Sequence, residues 1–341
     1  MSNKHLNLDV MIIGAGMSGL MAANQLQHAG IRNFRMFDKG KSPGGRLATR
    51  RIGSGRFDHG AQFMTAHTSS FQALINDWLA SEWIFPWYHN NHARYAASDG
   101  MSRLAKQLAQ SIPASYSCKV EQISQTNDGY RTHVRNLETD QVDEWVSRGV
   151  ILTAPLPQTL DLLDKGMISL PEDIRKLLES VKYAPCIGLL LLLRDPIDWV
   201  DGHLYEPIPG LISWVANNQQ KGISEATAIT IHLSAGWSRE HYQDEDERIF
   251  MQLMPALDNL FGENVRAQII EQQVKRWKYA QAYSMIEAPF ISVGTDFPLV
   301  LAGDAFGGSS SSSSKIEHAV LSGQSAGQWL AKQMIRFDGG S

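Results

Sequence analysis

The first residues able to do chemistry are glycines. Gly14, Gly16 and Gly19 are spaced G-x-G-x-x-G, and Asp38 follows 19 residues after the last of them. Glycine here lets the backbone N–H groups of the turn, through Ala15, Met17 and Ser18, close on a pyrophosphate. An acid at that distance accepts from adenosine ribose hydroxyls. Lys39 stands beside that acid, and Gly44, Gly45 and Arg46 come next. The glycines let a loop lie against a dinucleotide, and a guanidinium forks onto phosphate oxygens. The triplet by itself serves FAD and NAD equally.

A second group lies near the other end of the chain. Segment 299–302 reads as a buried strand running into Gly303 and Asp304, and a helix starts near Lys315 and Ile316. Gly303 permits close backbone approach, and Asp304 suits the hydroxyls of a ribityl chain. The positive end of the helix can face the pyrimidine edge of a flavin. Held from both ends of the chain, the expected cofactor is non-covalent FAD. A second G-x-G-x-x-G, a Ser/His/Asp elbow and metal-ligand spacing are all missing from the sequence; His67, His89 and His92 read as surface or packing residues.

The elements that must position these groups follow from periodicity. Strand 9–13, helix 18–29 and strand 33–37 form a βαβ unit, and 40–60 reads as a ligand-cradling loop too irregular for a strand or helix. A helix at 71–79, aromatic strands within 83–95 around Pro86, and a helix at 101–110 come next. Strands at 115–124, 130–135 and 142–145 then feed a buried strand at 149–152. Beyond 160 the spacing predicts a helix at 172–181, strands at 187–193, 210–215 and 226–234, a helix at 240–261, and a strand at 274–282. A last helix covers 315–334. The fold class is α/β with an α+β second domain: a discontinuous Rossmann-type domain over 1–70, 96–158 and 291–341, and a substrate domain over 71–95 and 159–290.

Composition limits the partners. At 341 residues, 43% hydrophobic and 19% charged, the chain supports two packed domains. A net charge of −4 supplies no cationic excess for nucleic acid or an anionic membrane. Cys118 and Cys186 are too few for a disulfide framework and read as buried thiols. No unbroken apolar run reaches the roughly 20 residues of a membrane span. The apolar stretch 10–23 is threaded by glycines and lacks a basic leader, so a cytoplasmic protein is expected. No sequence feature fixes an oligomeric state.

Taken together, the glycine triplet, Asp38-Lys39, Gly44-Gly45-Arg46, DHGAQF at 58–63 and GDAFGG at 303–308 resemble the renalase family, relatives of the flavin amine oxidases. The resemblance runs from the first strand to the last helix and is most specific at the termini. It implies a p-hydroxybenzoate hydroxylase-like fold, with an antiparallel sheet in the substrate domain. By the same likeness the substrates are the 1,2- and 1,6-dihydro isomers of NAD(P)H. Hydride passes to the flavin, β-NAD(P)+ leaves, and oxygen takes the electrons as hydrogen peroxide. The resemblance places Gly60, Ala61 and Gln62 near the reactive part of the flavin, with Phe63 beside the ring where some relatives carry Tyr. It also sets the Val120 backbone at the adenine, Ala154 at the dinucleotide, and His232 and Trp277 toward the nicotinamide.

Two features depart from the family pattern: Ser309 to Ser314 lengthen the loop before the last helix, and His318 follows Glu317 where a glycine is usual. The same FAD motifs also serve an amine or carotenoid-type flavin oxidoreductase. A flavin-binding redox sensor is a third reading.

Overall fold

The computed structural model describes residues 6–89, 92–294, 297–309 and 313–339. They form two compact units, one of residues 1–45, 105–182 and 282–341, the other of 46–104 and 183–281. The sequence reading draws its borders elsewhere, after 70, 95, 158 and 290. Part of the difference lies in 40–60, which is not wholly a loop. Thr49–Ile52 and Gly55–Asp58 pair as an antiparallel hairpin. Its Ile52 and Phe57 are buried with Leu190 and Leu192 of the second unit, which fixes the segment there.

The first unit is built on an eight-stranded sheet. Leu6–Ile13 lies at its centre, parallel to Phe34–Phe37 on one side and to Val142–Leu152 on the other. Leu299–Leu301 extends the parallel set, and Ile291–Val293 closes that edge antiparallel. Val10, Met11, Ile12, Val150, Ile151, Val300 and Leu301 are all fully buried. Such strands read as unbroken apolar runs because a parallel sheet is covered on both faces. Val142–Leu152 is one continuous strand where two short ones are expected: its beginning pairs antiparallel with Gly129–Asn136, while its end lies in the parallel set.

The first and last helices of this unit, Met17–His28 and Ile316–Gly339, pack backbone to backbone. A Cβ on Gly323 would sit 2.1 Å from the Ser18 carbonyl oxygen, and one on Gly327 2.5 Å from that of Ala22. Only glycine permits that approach. A further helix, Leu156–Lys165, was not anticipated; it begins after Pro155, at the end of the long strand.

The second unit carries a five-stranded sheet in the order His203–Ile208, Ile212–Asn217, Thr227–Leu233, Lys182–Leu193 and Ile269–Tyr283. Strand Lys182–Leu193 shows why its sequence is apolar without alternation. Ile187, Leu189, Leu191 and Leu193 pack with Ile249, Leu253 and Leu257 of helix Asp246–Phe261. Leu190 and Leu192 face the hairpin core on the opposite side. The helix expected over 240–261 begins only at Asp246 and runs to Phe261, and a separate short helix, Ala235–Glu240, precedes it. Among the described residues, no helix is long and apolar enough to cross a membrane.

Candidate functional site

The first unit assembles a cradle at the carboxyl ends of its parallel strands, where ligands of open α/β sheets bind. The Thr153 hydroxyl donates to the carbonyls of Ile13 (2.9 Å) and Gly14 (3.2 Å). A Cβ on Gly14, whose φ is +107°, would fall 2.4 Å from that hydroxyl oxygen; one on Gly19 would fall 1.9 Å from the Gly14 carbonyl oxygen. Gly16 differs: nothing lies within 4 Å of its missing Cβ. It is also the N-cap of helix Met17–His28 and makes no side-chain cap bond. The turn therefore leaves space and uncapped N–H groups, and the Ser18 hydroxyl beside them is buried without a hydrogen-bond partner. A pyrophosphate fits both.

Asp38 holds this turn as well as facing it. Its Oδ2 accepts from Ala15 N and its Oδ1 from Gly40 N, each at 2.6 Å. A carboxylate has about four acceptor positions, so capacity for ribose hydroxyls remains. Cys118 N donates to the Asp38 carbonyl, bringing the strand that carries Val120 alongside. Gly44 N donates to Ala15 O, and the Gly44–Gly45 loop lies on the glycine turn, with a Cβ on Gly45 placed 3.5 Å from the Gly16 Cα. Lys39 is exposed and reaches Gln158 at 3.3 Å.

The carboxyl-terminal segment completes the same cradle. Gly303 N donates to the Ser322 hydroxyl at 3.0 Å, and a Cβ on Gly303 would lie 3.7 Å from the Thr153 carbonyl oxygen. Asp304 is buried, Ala154 and Ile316 are half-buried, and Lys315 is exposed. His318 has a local use: its Nδ1 accepts from Lys315 N at 3.1 Å at the start of the last helix. Of the lengthened serine loop, 310–312 lie outside the described residues. Ser314 bonds Ala282 in both directions.

The second unit carries a different kind of site, made of side chains. Arg46 Nη1 donates to the carbonyls of Tyr279 and Ala280, each at 3.3 Å. Gly60 is packed so closely that a Cβ would fall 1.9 Å from the Arg46 carbonyl oxygen, which also accepts from Ala61 N. Beneath this loop lies a buried ion pair. Lys221 Nζ donates to Asp58 Oδ2 at 2.7 Å and to the Gln62 carbonyl at 2.5 Å, and both side chains are fully buried. Burial pulls the Lys221 pKa down, with Asp58 opposing it.

Above the loop, Phe63 enters an aromatic box. Its ring centroid lies 5.4 Å from Trp214, 5.9 Å from Tyr88 and 6.4 Å from Trp87, and His203 stacks on Trp214 at 4.7 Å. Paired backbone bonds between Met64 and Tyr95 lay Phe63 against the hairpin of Ile84–His89 and Ala93–Ala97. Trp214 stands opposite His232 on neighbouring strands. Arg94 rests over Phe63 at 5.1 Å, and Lys221 lies 4.8 Å from the Trp87 centroid.

His232 and Trp277 meet at one carbonyl. Trp277 Nε1 donates to His59 O at 2.8 Å and its ring stacks on the His59 imidazole at 5.3 Å, while His232 hydrogen-bonds the same backbone. Burial lowers His232 to about 4, and burial reinforced by Lys275 does the same for His59. Both are neutral at pH 7. His232 Nε2, His59 Nδ1, Gln62 Oε1 and Trp214 Nε1 are buried without hydrogen-bond partners. Buried polar atoms of this kind call for a ligand or an ordered water.

Residues 12–79 match the profile of an NAD(P)-binding Rossmann-like domain, and residues 79–328 that of flavin containing amine oxidoreductase. The second match spans well over half of the chain. The chain belongs to the flavin containing amine oxidoreductase family. As a member it is an FAD-dependent oxidoreductase, and the uncapped glycine turn, Asp38 and Gly303 are suited to the dinucleotide. A solved structure from Exiguobacterium sp. 255-15, whose name assigns it provisionally as a protoporphyrinogen oxidase, shares the fold. Its TM-score is 0.64 at 13% identity, covering 98% of this chain and 100% of that one.

The sequence reading brought Phe63, His232 and Trp277 into view but missed Trp87, Tyr88, Arg94, His203, Trp214 and Lys221. The aromatic density of 83–95 was the one usable signal. Lys221 had none, standing in the polar stretch NNQQK. The two cysteines are free and half-buried as residues, and burial of the Cys186 thiol pushes it up to about 12. Among the described residues no cluster of three or more His, Cys, Asp or Glu could hold a metal.

Proposed function

We propose that the protein is a renalase-like oxidase that takes hydride from a dihydronicotinamide, the 1,2- or 1,6-dihydro isomer of NAD(P)H, and passes the electrons to oxygen as hydrogen peroxide. The observation that carries this reading is the make-up of the aromatic box and its neighbours. The walls are flat apolar rings, the two histidines are neutral, and the cations are Arg94 and Lys221. The buried carboxylate of Asp58 is tied to Lys221.

A flat, already reduced ring needs to be held and kept dry; it needs no base. An ammonium substrate needs a counter-charge and a group to remove its proton. This box offers it the Arg94 guanidinium instead. FAD, when bound, supplies the hydride acceptor and the route to oxygen. The residues of the box orient the donor ring, and Lys221 holds the carbonyl of Gln62 in the loop that the resemblance sets beside the flavin.

The test is anaerobic mixing of the oxidised protein with 1,2- and 1,6-dihydro-NAD, β-NADH and simple amines, following flavin absorbance. Fast bleaching by a dihydro isomer, with peroxide released on adding air, is the expected result. Bleaching by amines alone overturns the reading in favour of an amine oxidase.

A further inference from the structure

Arg94 differs from the arginines that are ion-paired. Arg56, Arg135, Arg175 and Arg276 each hold a carboxylate, Asp99, Glu121 with Asp140, Asp164 and Asp246 respectively. Arg94 holds none among the described residues. Its Nη1 donates to the His92 carbonyl at 3.1 Å, it hydrogen-bonds the Tyr88 hydroxyl, and its Nε is buried with no partner. The guanidinium carbon lies 5.1 Å from the Phe63 ring centroid and 6.0 Å from that of Tyr88. Asp201 acts on Tyr88 electrostatically, yet it is exposed and makes no ion pair with Arg94.

Ring faces attract a cation but do not neutralise it, and a half-buried guanidinium with a free N–H is costly to leave unpaired. The second cation of the box, Lys221, is already matched by Asp58, so the uncompensated charge is localised at Arg94. A planar fork of donors at the rim of an aromatic box suits an oxyanion carried by the molecule whose ring occupies that box.

We propose that Arg94 is the anchor for a phosphate group of the substrate, so that the box takes a nucleotide-linked ring rather than a free one. The inference rests on the box being the substrate site. It adds a specificity element: the ring is recognised by Phe63, Trp87 and Trp214, and the phosphate by the Arg94 fork.

Two measurements on the FAD-loaded protein test it. In the first, inorganic pyrophosphate is titrated calorimetrically into wild type, Arg94→Met and Arg94→Lys. Binding to wild type that weakens with salt, falls at least tenfold in Arg94→Met and is partly kept by Arg94→Lys supports the anchor. Equal binding by wild type and Arg94→Met overturns it. This measurement needs no turnover, so it stands whether or not dihydronicotinamides are substrates.

In the second, flavin bleaching is compared for the dihydro isomer of nicotinamide mononucleotide and for an uncharged 1-benzyl dihydronicotinamide. The preference for the phosphate-bearing donor falls at least tenfold in Arg94→Met. A parallel loss for both donors means that Arg94 only packs the box, and overturns the proposal. If neither donor bleaches wild type while pyrophosphate binding still depends on Arg94, the substrate reading fails and the oxyanion anchor survives.

Discussion

The two units solve the problem of binding in opposite ways. The cradle of the first unit is made almost entirely of backbone: missing side chains at Gly14, Gly16, Gly19 and Gly303, uncapped N–H groups, and one carboxylate that also ties the turn together. The box of the second unit is made of side chains from segments far apart in sequence, Phe63, Trp87, Tyr88, Arg94, His203 and Trp214. Backbone recognition demands particular residues at short, fixed spacing. Side-chain recognition needs only that large rings converge, from wherever the fold can bring them.

The largest expected effect breaks the cradle at single atoms. Gly19→Ala puts a Cβ 1.9 Å from a carbonyl oxygen, whereas Gly16→Ala meets nothing within the protein. Gly16 has φ −74°, which alanine adopts freely. Gly16→Ala should therefore leave the melting of the FAD-free protein unchanged. It should still weaken FAD by about 10- to 100-fold, since overpacking against the pyrophosphate costs roughly 1–3 kcal/mol. Gly19→Ala should lower the melting of the FAD-free protein as well. Equal FAD affinity in Gly16→Ala and wild type would mean that the open space at Gly16 is not where the dinucleotide lies.

The second unit has its own point of failure beneath the box. Lys221→Met leaves the Asp58 carboxylate buried with only neutral donors, the Thr49 hydroxyl and Met101 N. Breaking one side of such a pair costs about 3–5 kcal/mol. Urea unfolding should register that loss, and the double variant Asp58→Asn/Lys221→Met should recover part of it. A single variant as stable as wild type would show that the pair is not what holds the Gln62 loop.

These contrasts explain what could be read from the chain in advance. Val10 to Ile13, the glycine turn and Asp38 were legible because parallel strands are apolar on both faces and phosphate recognition fixes glycine spacing. The hairpin at Thr49–Ile52 and Gly55–Asp58 was not. Arg50 and Arg51 face outward in adjacent positions, so the short strand shows no alternation. Phe63, His232 and Trp277 came from resemblance rather than from periodicity. The remaining box residues have no local rule: Trp214 and His203 look like ordinary strand aromatics until the sheet sets them against Phe63.

Acid should strain the second unit through its two histidines. His59 and His232 titrate near 4 in the folded chain, against an ordinary value of 6.5. The unfolded chain therefore binds protons first, and stability present above pH 6.5 is lost as the pH falls from 6.5 toward 4. With both groups half-buried the loss is on the order of 1–3 kcal/mol for the pair. Urea midpoints between pH 7 and 4 measure it, and His232→Gln should flatten the curve. Because neither imidazole charges above pH 5, flavin bleaching by substrate should also be level from pH 5 to 8. A bell or step with a midpoint near 6.5 would mean that one histidine reaches solvent.

The smallest effect separates holding from binding. Trp277 makes one directional contact, its indole N–H to the His59 carbonyl, and one stacking contact with the His59 ring. Trp277→Phe keeps a ring for stacking but drops the hydrogen bond, leaving that carbonyl to His232 alone. The loss is about 0.5–1.5 kcal/mol, or a two- to tenfold slower bleaching of flavin by substrate, with FAD content unchanged. His59 then has only its imidazole stacking and His232 to hold it, so Trp277→Phe combined with His232→Ala should slow bleaching by more than the product of the single effects. If the two effects simply multiply, His232 and Trp277 act on the substrate independently, and the shared carbonyl is not the hinge of the site.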